Sequence, residues 1–431
     1  MTRSADADVV PTGRPAGGDD PARRPVQRRA RVIVAALAVT QTVGYGALYY
    51  SFAVLLAPLA RDLHTSTTAV TGALTAATLA GAAAAVPVGR WLDRHGGRAL
   101  MTTSSAAGTL LLVLPSTVHT LAALYAVWIG IGLASAMCLY EAAFAVIVTW
   151  YRQPQPLGGA LLAVTVVAGL ASSIFLPFTG ALVHAWGWRA GVLILAVVHG
   201  ALAIPLHAAV LRRPEPPPGR TSPYRHRDHD TGRRAAVRLA LRDRGFWLLA
   251  LAFLAQAAAV STLTVHLVAY LIQLGHPATF AATIAGLLGV LSVTGRLAVT
   301  GLQRRIGLHS VVGAVFTIQA VAAVSLPLVG RTTLGAVTAV IGFGLGFGVA
   351  TIARPALLAA RYNTTGYATI SGILTVPLTI AKAAAPLGAA ALNTHTGSYT
   401  PVLAATAAAC LLAATAITAT RSHPAPRESV S

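Results

Sequence analysis

Twelve long apolar runs dominate this chain, and they leave few folds open to it. They lie at about 32–59, 67–88, 99–115, 120–148, 157–183 and 190–211, then at 246–272, 278–300, 309–329, 333–359, 367–392 and 400–420. A helix needs about 20 apolar residues to cross the hydrocarbon of a bilayer, and each run is of that order. In lipid the backbone must satisfy its own hydrogen bonds, which leaves only helices and closed barrels. The runs are continuously apolar rather than alternating, which excludes a barrel. Charge agrees: only 10% of the 431 residues are charged, against about 25% in a soluble domain. The expectation is an all-α integral membrane protein with twelve transmembrane spans, numbered one to twelve below.

Arginine placement orients the spans. The chain has a net charge of +20, with 32 basic residues of which Lys382 is the only lysine. With the N-terminus in the cytoplasm, 26 of the 32 fall on the cytoplasmic side and three (Arg61, Arg189, Arg331) on the other. That asymmetry is a strong positive-inside signal, so both termini and the basic central segment are expected in the cytoplasm. The organisation read from it is a disordered tail at 1–31, a first half at 32–211, a basic linker at 212–245, a second half at 246–420 and a C-terminal tail at 421–431. The first apolar run is too long for a cleavable signal. The basic charge serves topology and faces anionic lipid; no domain here supplies the folded basic face that nucleic acid requires. The bias to Arg and Ala is that of a high-GC bacterial genome, hence a bacterial cytoplasmic membrane.

The halves repeat at an offset of about 210. GIGLASAMCLYEAAFAVI from Gly130 in span four faces GFGLGFGVATIARPALLA from Gly342 in span ten. Pro177 in span five faces Pro386 in span eleven, Gly187-Trp188 faces Ser398-Tyr399, and DRHG from Asp93 faces RRIG from Arg304. Such a duplication suggests a secondary transporter whose substrate binds between the halves near the midplane.

The loop after span two reads GRWLDRHGGR. It resembles the G-x-x-x-D-R-x-G-R-R signature of the major facilitator superfamily, matching at Gly89, Asp93, Arg94, Gly96 and Arg98, with Gly97 where that family often has Arg. The resemblance, with the spans and repeat, covers residues 30 to 420. It implies a gating role for this loop. The physical case stands beside it: Gly89 permits close helix approach, and Asp93 can sit at a neighbouring helix N-terminus and pair with an Arg. A purely topogenic loop would need only its arginines and leaves Asp93 unexplained.

Charges inside spans are expensive and mark function by default. Glu141 in span four is the only acid inside a span. Arg296 lies in span eight, Arg354 in span ten and Lys382 mid-way along span eleven, too deep for easy snorkelling. Lys382 is either a ligand group or a lysine paired with Glu141 or a carbonyl; Ala381, Ala383, Ala384 and Ala385 around it would let a neighbouring helix pack closely. Arg296 either snorkels or serves ligand or gate. Glu141 and Arg354 are related by the repeat to within one residue and could pair when the cytoplasmic side closes. Cations in spans eight and eleven are similar to those of the oxalate/formate and monocarboxylate carrier branch of the superfamily, as are TWYRQPQPLGGALLA and GWR at 187–189. That resemblance implies that Arg296 and Lys382 receive carboxylate groups of a small organic anion. The helix-eight acid of the monocarboxylate carriers is absent, its place taken by Ser292.

Gln41, Tyr45 and Tyr49 recur on one face of span one, and with Gln256 in span seven they are candidate cavity residues; the tyrosines could equally form an interfacial belt. His266 is a candidate proton relay or a packing histidine. The partners implied are a small-molecule substrate, protons or a counter-anion, and the bilayer; a monomer is expected. No cofactor, metal or enzymatic constellation is implied, and Cys138 and Cys410 lie in apolar runs, supporting neither a disulfide nor a zinc site. The alternative function is proton-coupled export of a drug or metabolite, although span four lacks the Arg typical of that branch. A sensor would need a soluble effector domain, and the longest extramembrane segment is about 33 residues.

Overall fold

The computed structural model describes residues 23–151, 154–211, 225–362 and 366–422. All regular structure among them is helical. Among the described residues, eleven helices are long and apolar enough to cross a membrane; one of these, Pro156–Val210, has 55 residues and holds spans five and six, which turn at Gly187 (φ 76°). The result is a bundle of twelve spans.

Two segments differ from expectation. Most of the N-terminal tail lies outside the described residues, but the first helix already begins at Arg23, inside the stretch read as disordered. Arg, Gln and Ala are good helix formers, and extending an existing helix requires no new nucleus. The linker likewise holds a helix, Arg225–Arg242. Its Arg234, Arg238 and Arg242 are exposed at four-residue spacing, while Arg233 and Ala240 are buried.

Three hydrophobic cores organise the bundle. One draws on both halves: Leu37, Leu92, Met101 and Phe144 pack in the same cluster as Phe253, Phe316, Leu357 and Ile417. It lies toward the end that carries the arginine-rich segments, hereafter the basic end. The second core, with Leu55, Val70, Leu124 and Val192, belongs to the first half alone. The third, with Leu271, Leu326, Val340 and Cys410, belongs to the second half alone. The halves are therefore joined at the basic end and separate at the other.

Lipid offers no hydrophobic drive between helices, so close contact depends on small residues. Spans two and eleven cross the boundary between the halves in this way. A methyl group added at Gly89 would strike the Ala368 carbonyl, and one at Gly372 would strike the Ala85 carbonyl. The two glycines are thus reciprocal contact points of one crossing.

Several spans are interrupted. Span one contains a π-helical turn at Gly46–Tyr50. Span four breaks at Leu139, which is extended (φ −87°, ψ −160°) between helices Leu121–Cys138 and Tyr140–Trp150. Span ten loosens into turns at 346–348 between Thr333–Leu345 and Val349–Tyr362. Under the repeat, the breaks in spans four and ten fall about one helical turn apart. Each frees carbonyls, and each is met by a glutamine from the first span of its own half: Gln41 Nε2 donates to the Cys138 carbonyl at 2.8 Å, and Gln256 Nε2 lies 3.5 Å from the Gly346 carbonyl.

Candidate functional site: a cavity between the halves

Between the halves lies a cavity of about 600 Å3, lined by spans one, two, four, seven, eight, ten and eleven. Lys382, Arg296, Glu141, Arg354, Tyr45, Tyr49, Gln256 and Gly89 all line it. Gln41 and His266 do not. Gln41 is fully buried and its amide serves the break in span four. His266 Nε2 lies 3.0 Å from the Pro386 carbonyl and Nδ1 3.4 Å from the Tyr399 hydroxyl, the contacts of a packing histidine. The structure thus places Gln41, expected to line the cavity, and His266, expected as a relay or packing histidine, outside the cavity lining.

Pro386 shapes the surroundings of Lys382. Proline has no N–H, so the carbonyl four residues earlier loses its helical donor. That carbonyl belongs to Lys382, and the Ser261 hydroxyl of span seven donates to it at 2.6 Å. Together with His266, this ties span seven to the kink of span eleven. The Lys382 side chain is exposed, and the cavity is what it is exposed to. Among the described residues it makes no ion pair. The expected close packing of the flanking alanines is not found at Ala383 and Ala384, which are exposed.

Arg296 does not snorkel. It is 9% exposed and turned inward. Its Nε donates to the Gly348 carbonyl at 3.2 Å, in the loosened part of span ten. Its Nη1 donates to the Thr165 carbonyl at 2.7 Å, in span five of the other half. Buried charge is tolerated only with such bonds. Both partners are neutral, so the positive charge is bonded but not neutralised.

The floor of the cavity is the basic end. Glu141 and Arg354 form an ion pair there, across the two halves. The Ser371 hydroxyl of span eleven donates to the second carboxylate oxygen at 3.0 Å. Below this pair, Asp93 caps the N-terminus of span eleven. It accepts from the backbone N–H of Ala368 at 3.0 Å, from that of Thr369 at 2.9 Å and from the Thr369 hydroxyl at 2.6 Å. A carboxylate at the unpaired N–H groups of a helix start is favoured both by hydrogen bonding and by the helix dipole. Arg233 of the linker helix lies close enough to act on this carboxylate.

The rest of the loop after span two has separate duties. Gly96 turns the chain with φ 78°. Arg98 Nε donates to the Ala208 carbonyl at 2.7 Å, pinning span three to the end of span six. Arg94 is exposed at the basic end. Gly97 is buried, and a side chain there would strike Val146 of span four, which explains why Arg is not found at this position. A further clasp lies within the second half. Burial works to raise the Asp243 carboxyl, but hydrogen bonds from Arg361, Tyr362 and the Gly245 N–H outweigh it and hold the group below its ordinary value.

Residues that the sequence reading did not single out complete the site. Ser261, Ser371 and Thr369 are ordinary hydroxyl residues whose partners lie more than a hundred positions away. Tyr50 reaches Tyr45 only through the π-helical turn, and Tyr140 sits at the break of span four, its ring 4.5 Å from that of Tyr45.

Comparison with known proteins agrees with this architecture. The Major Facilitator Superfamily matches residues 37–386, and the chain belongs to that family of membrane transporters. Among solved structures, the fucose:proton symporter FucP of E. coli is similar with a TM-score of 0.70 at 13% identity, covering 92% of this chain and 99% of that one. The human organic anion transporter MFSD10 is similar with a TM-score of 0.65 at 15% identity, covering 91% and 99%. The proton:xylose symporter XylE is similar with a TM-score of 0.68 at 12% identity, covering 90% and 95%. No curated protein sequence matches.

Proposed function

We propose that this transporter moves a small organic anion, a mono- or dicarboxylate, across the bacterial cytoplasmic membrane by alternating access. The observation that carries this reading is Lys382: a lysine deep in a span, open to the central cavity and without an ion-pair partner among the described residues. An ammonium in such a place is costly unless an anion joins it, and low dielectric strengthens that attraction over its value in water. Arg296 adds a second charge whose partners are carbonyls. Among the described residues the only acid lining the cavity, Glu141, is already paired with Arg354. With the arginine-rich end in the cytoplasm, the geometry is that of a cytoplasm-closed state, and Asp93 and the Glu141–Arg354 pair act as its gate. One structural neighbour is named for organic anions and two for sugars with protons; the charge of the cavity favours the anion.

The test is counterflow of labelled carboxylates in proteoliposomes, with a neutral sugar and a cationic dye as controls. Lys382→Ala should abolish carboxylate counterflow. Lys382→Arg should retain some with altered selectivity, because a planar fork replaces a flexible point charge. If the wild type moves no carboxylate, and dye export is unchanged by Lys382→Ala, the assignment falls and proton-coupled drug export takes its place.

A further inference from the structure

We propose that the anion is an aryl carboxylate, its ring held by the first half and its carboxylate by the second. This inference rests on the organic-anion reading above and adds the body of the substrate to its charge.

The cavity has two unlike walls. The cations all stand on the second half, at Arg296, Arg354 and Lys382. The first half presents a run of aromatic rings. Tyr49 and Tyr45 meet edge to face with centroids 6.4 Å apart, Tyr45 and Tyr140 approach to 4.5 Å, and Tyr140 stacks on Phe144 at 5.1 Å with planes 9° apart. All four residues line the cavity; Tyr49 is 45% exposed, and Phe144, at 1%, backs Tyr140 from beneath the surface. The run is assembled by two departures from regular helix. The π-helical turn at Gly46–Tyr50 brings Tyr49 and Tyr50 both within 6.4 Å of Tyr45. The break at Leu139 starts a new helix at Tyr140. π-helical turns inside longer helices are frequent at functional sites.

Size and chemistry favour an aromatic body over a compact acid. The volume of about 600 Å3 is in the range of sites for drug-sized ligands, and a two-carbon acid would leave the rings facing water. Aromatic faces pair with other rings in stacked or edge-to-face geometry. The hydroxyls of Tyr45, Tyr49 and Tyr140 have no hydrogen-bond partner among the described residues, so they remain available to a polar substituent on the ring. A carboxylate on the far side of that ring meets Lys382, with Arg296 beside the tyrosines.

The test uses the full chain in lipid nanodiscs and in proteoliposomes. Benzoate, 4-hydroxybenzoate and phenylacetate are compared with acetate, oxalate and succinate by thermal stabilisation, which rises with ligand affinity, and by counterflow. Benzylamine, a cation at neutral pH, and benzyl alcohol, which is neutral, are the controls that keep the ring and lack the carboxylate. The aryl acids should bind at least about tenfold more tightly than acetate or oxalate, as expected for a stacked and buried ring. Tyr140→Leu should weaken benzoate about tenfold and acetate less than twofold. Tyr140→Phe should keep benzoate and lose preference for the hydroxylated ring. The proposal is overturned if acetate or oxalate binds as tightly as benzoate, or if Tyr140→Leu weakens both alike. The wild-type series decides even if Tyr140→Leu does not fold. If benzylamine or benzyl alcohol equals benzoate and Lys382→Ala changes none of them, the organic-anion reading itself has failed, and the aromatic wall serves a different class.

Discussion

The two ends of the bundle hold the same kinds of contact but distribute them differently. At the basic end two sets of polar contacts cross from one half to the other, Glu141 to Arg354 and Asp93 to the start of span eleven, beside clasps that stay within a half at Arg98 and Asp243. One apolar core there draws on both halves. At the opposite end the contacts stay within a half. Asp62 pairs with Arg189 inside the first half, His266 meets Pro386 and Tyr399 inside the second, and each half has its own core. A rigid-body rocking motion would have to break the first set and could leave the second untouched. On the gating proposed above, the first set would hold this state and the second would hold a half together.

The largest effect is expected at the Glu141–Arg354 pair. Removing one partner of a buried pair strands the other charge and costs about 3–5 kcal/mol. Exposures of 14% and 28% reduce this, and reversal at Glu141→Arg should slow counterflow about a hundredfold. The exchanged pair, Glu141→Arg with Arg354→Glu, should recover most of it. If the exchanged pair is as slow as either single reversal, the pair does not gate, and Glu141 would be better placed as a proton-coupling acid.

A large effect is also expected where spans two and eleven touch. Gly89→Leu places a side chain against the Ala368 carbonyl and should favour the state open at the basic end. Spin labels at His95→Cys and Arg304→Cys, one on each half, should report a longer distance in Gly89→Leu than in wild type. An unchanged distance distribution would separate close helix approach from gating.

The sequence and the structure meet unevenly across these regions. The spans were legible because apolar length in a membrane has one main outcome. Asp93 was legible because an acid in a loop selected for arginine needs its own reason. Glu141 and Arg354 were legible because the repeat places opposite charges at matching points. Gln41 was misread: it shares a helical face with Tyr45 and Tyr49, but that face runs past the break in span four, and the free Cys138 carbonyl claims its amide. No proline or glycine stands at the break at Leu139 to announce it. Pro386 did announce a free carbonyl at Lys382, yet its partner Ser261 lies 121 residues away and has no distinguishing pattern. Tyr140 joins the aromatic wall through the break in span four, and Tyr50 packs behind it on Tyr45 and Tyr49 through the π-helical turn; periodicity reveals neither the turn nor the break.

A moderate effect is expected at Asp93. Asn in its place still accepts hydrogen bonds but carries no charge for the helix start. A charge at a helix N-terminus contributes about 0.3–1 kcal/mol, up to about 2 where partly buried. Asp93→Asn should therefore slow turnover about two- to tenfold while expression and substrate affinity stay near wild type. Equal turnover in proteoliposomes would show that the hydrogen bonds alone hold the N-terminus of span eleven.

The smallest effect is expected at the Asp62–Arg189 pair, and it is the control on the whole comparison. Its 2.5 Å contact is as well formed as any bond at the basic end, but the side chains are 40% and 31% exposed. Such exposed pairs contribute about 0–1 kcal/mol, and salt screens them further. Arg189 also keeps other contacts: its Nε donates to the Ser116 carbonyl at 3.1 Å, and its guanidinium lies 4.5 Å over the Trp188 ring. Losing the carboxylate should leave the arginine in place. Since both partners belong to the first half, any stability lost is lost equally in both states of a rocking cycle. Asp62→Asn should thus lower the melting temperature slightly, change turnover less than twofold, and leave the His95–Arg304 label distances unaltered. A fall in turnover comparable to that of Glu141→Arg would mean that bonds within a half also control the exchange of states, and that the location of a contact across or within the halves does not decide its role.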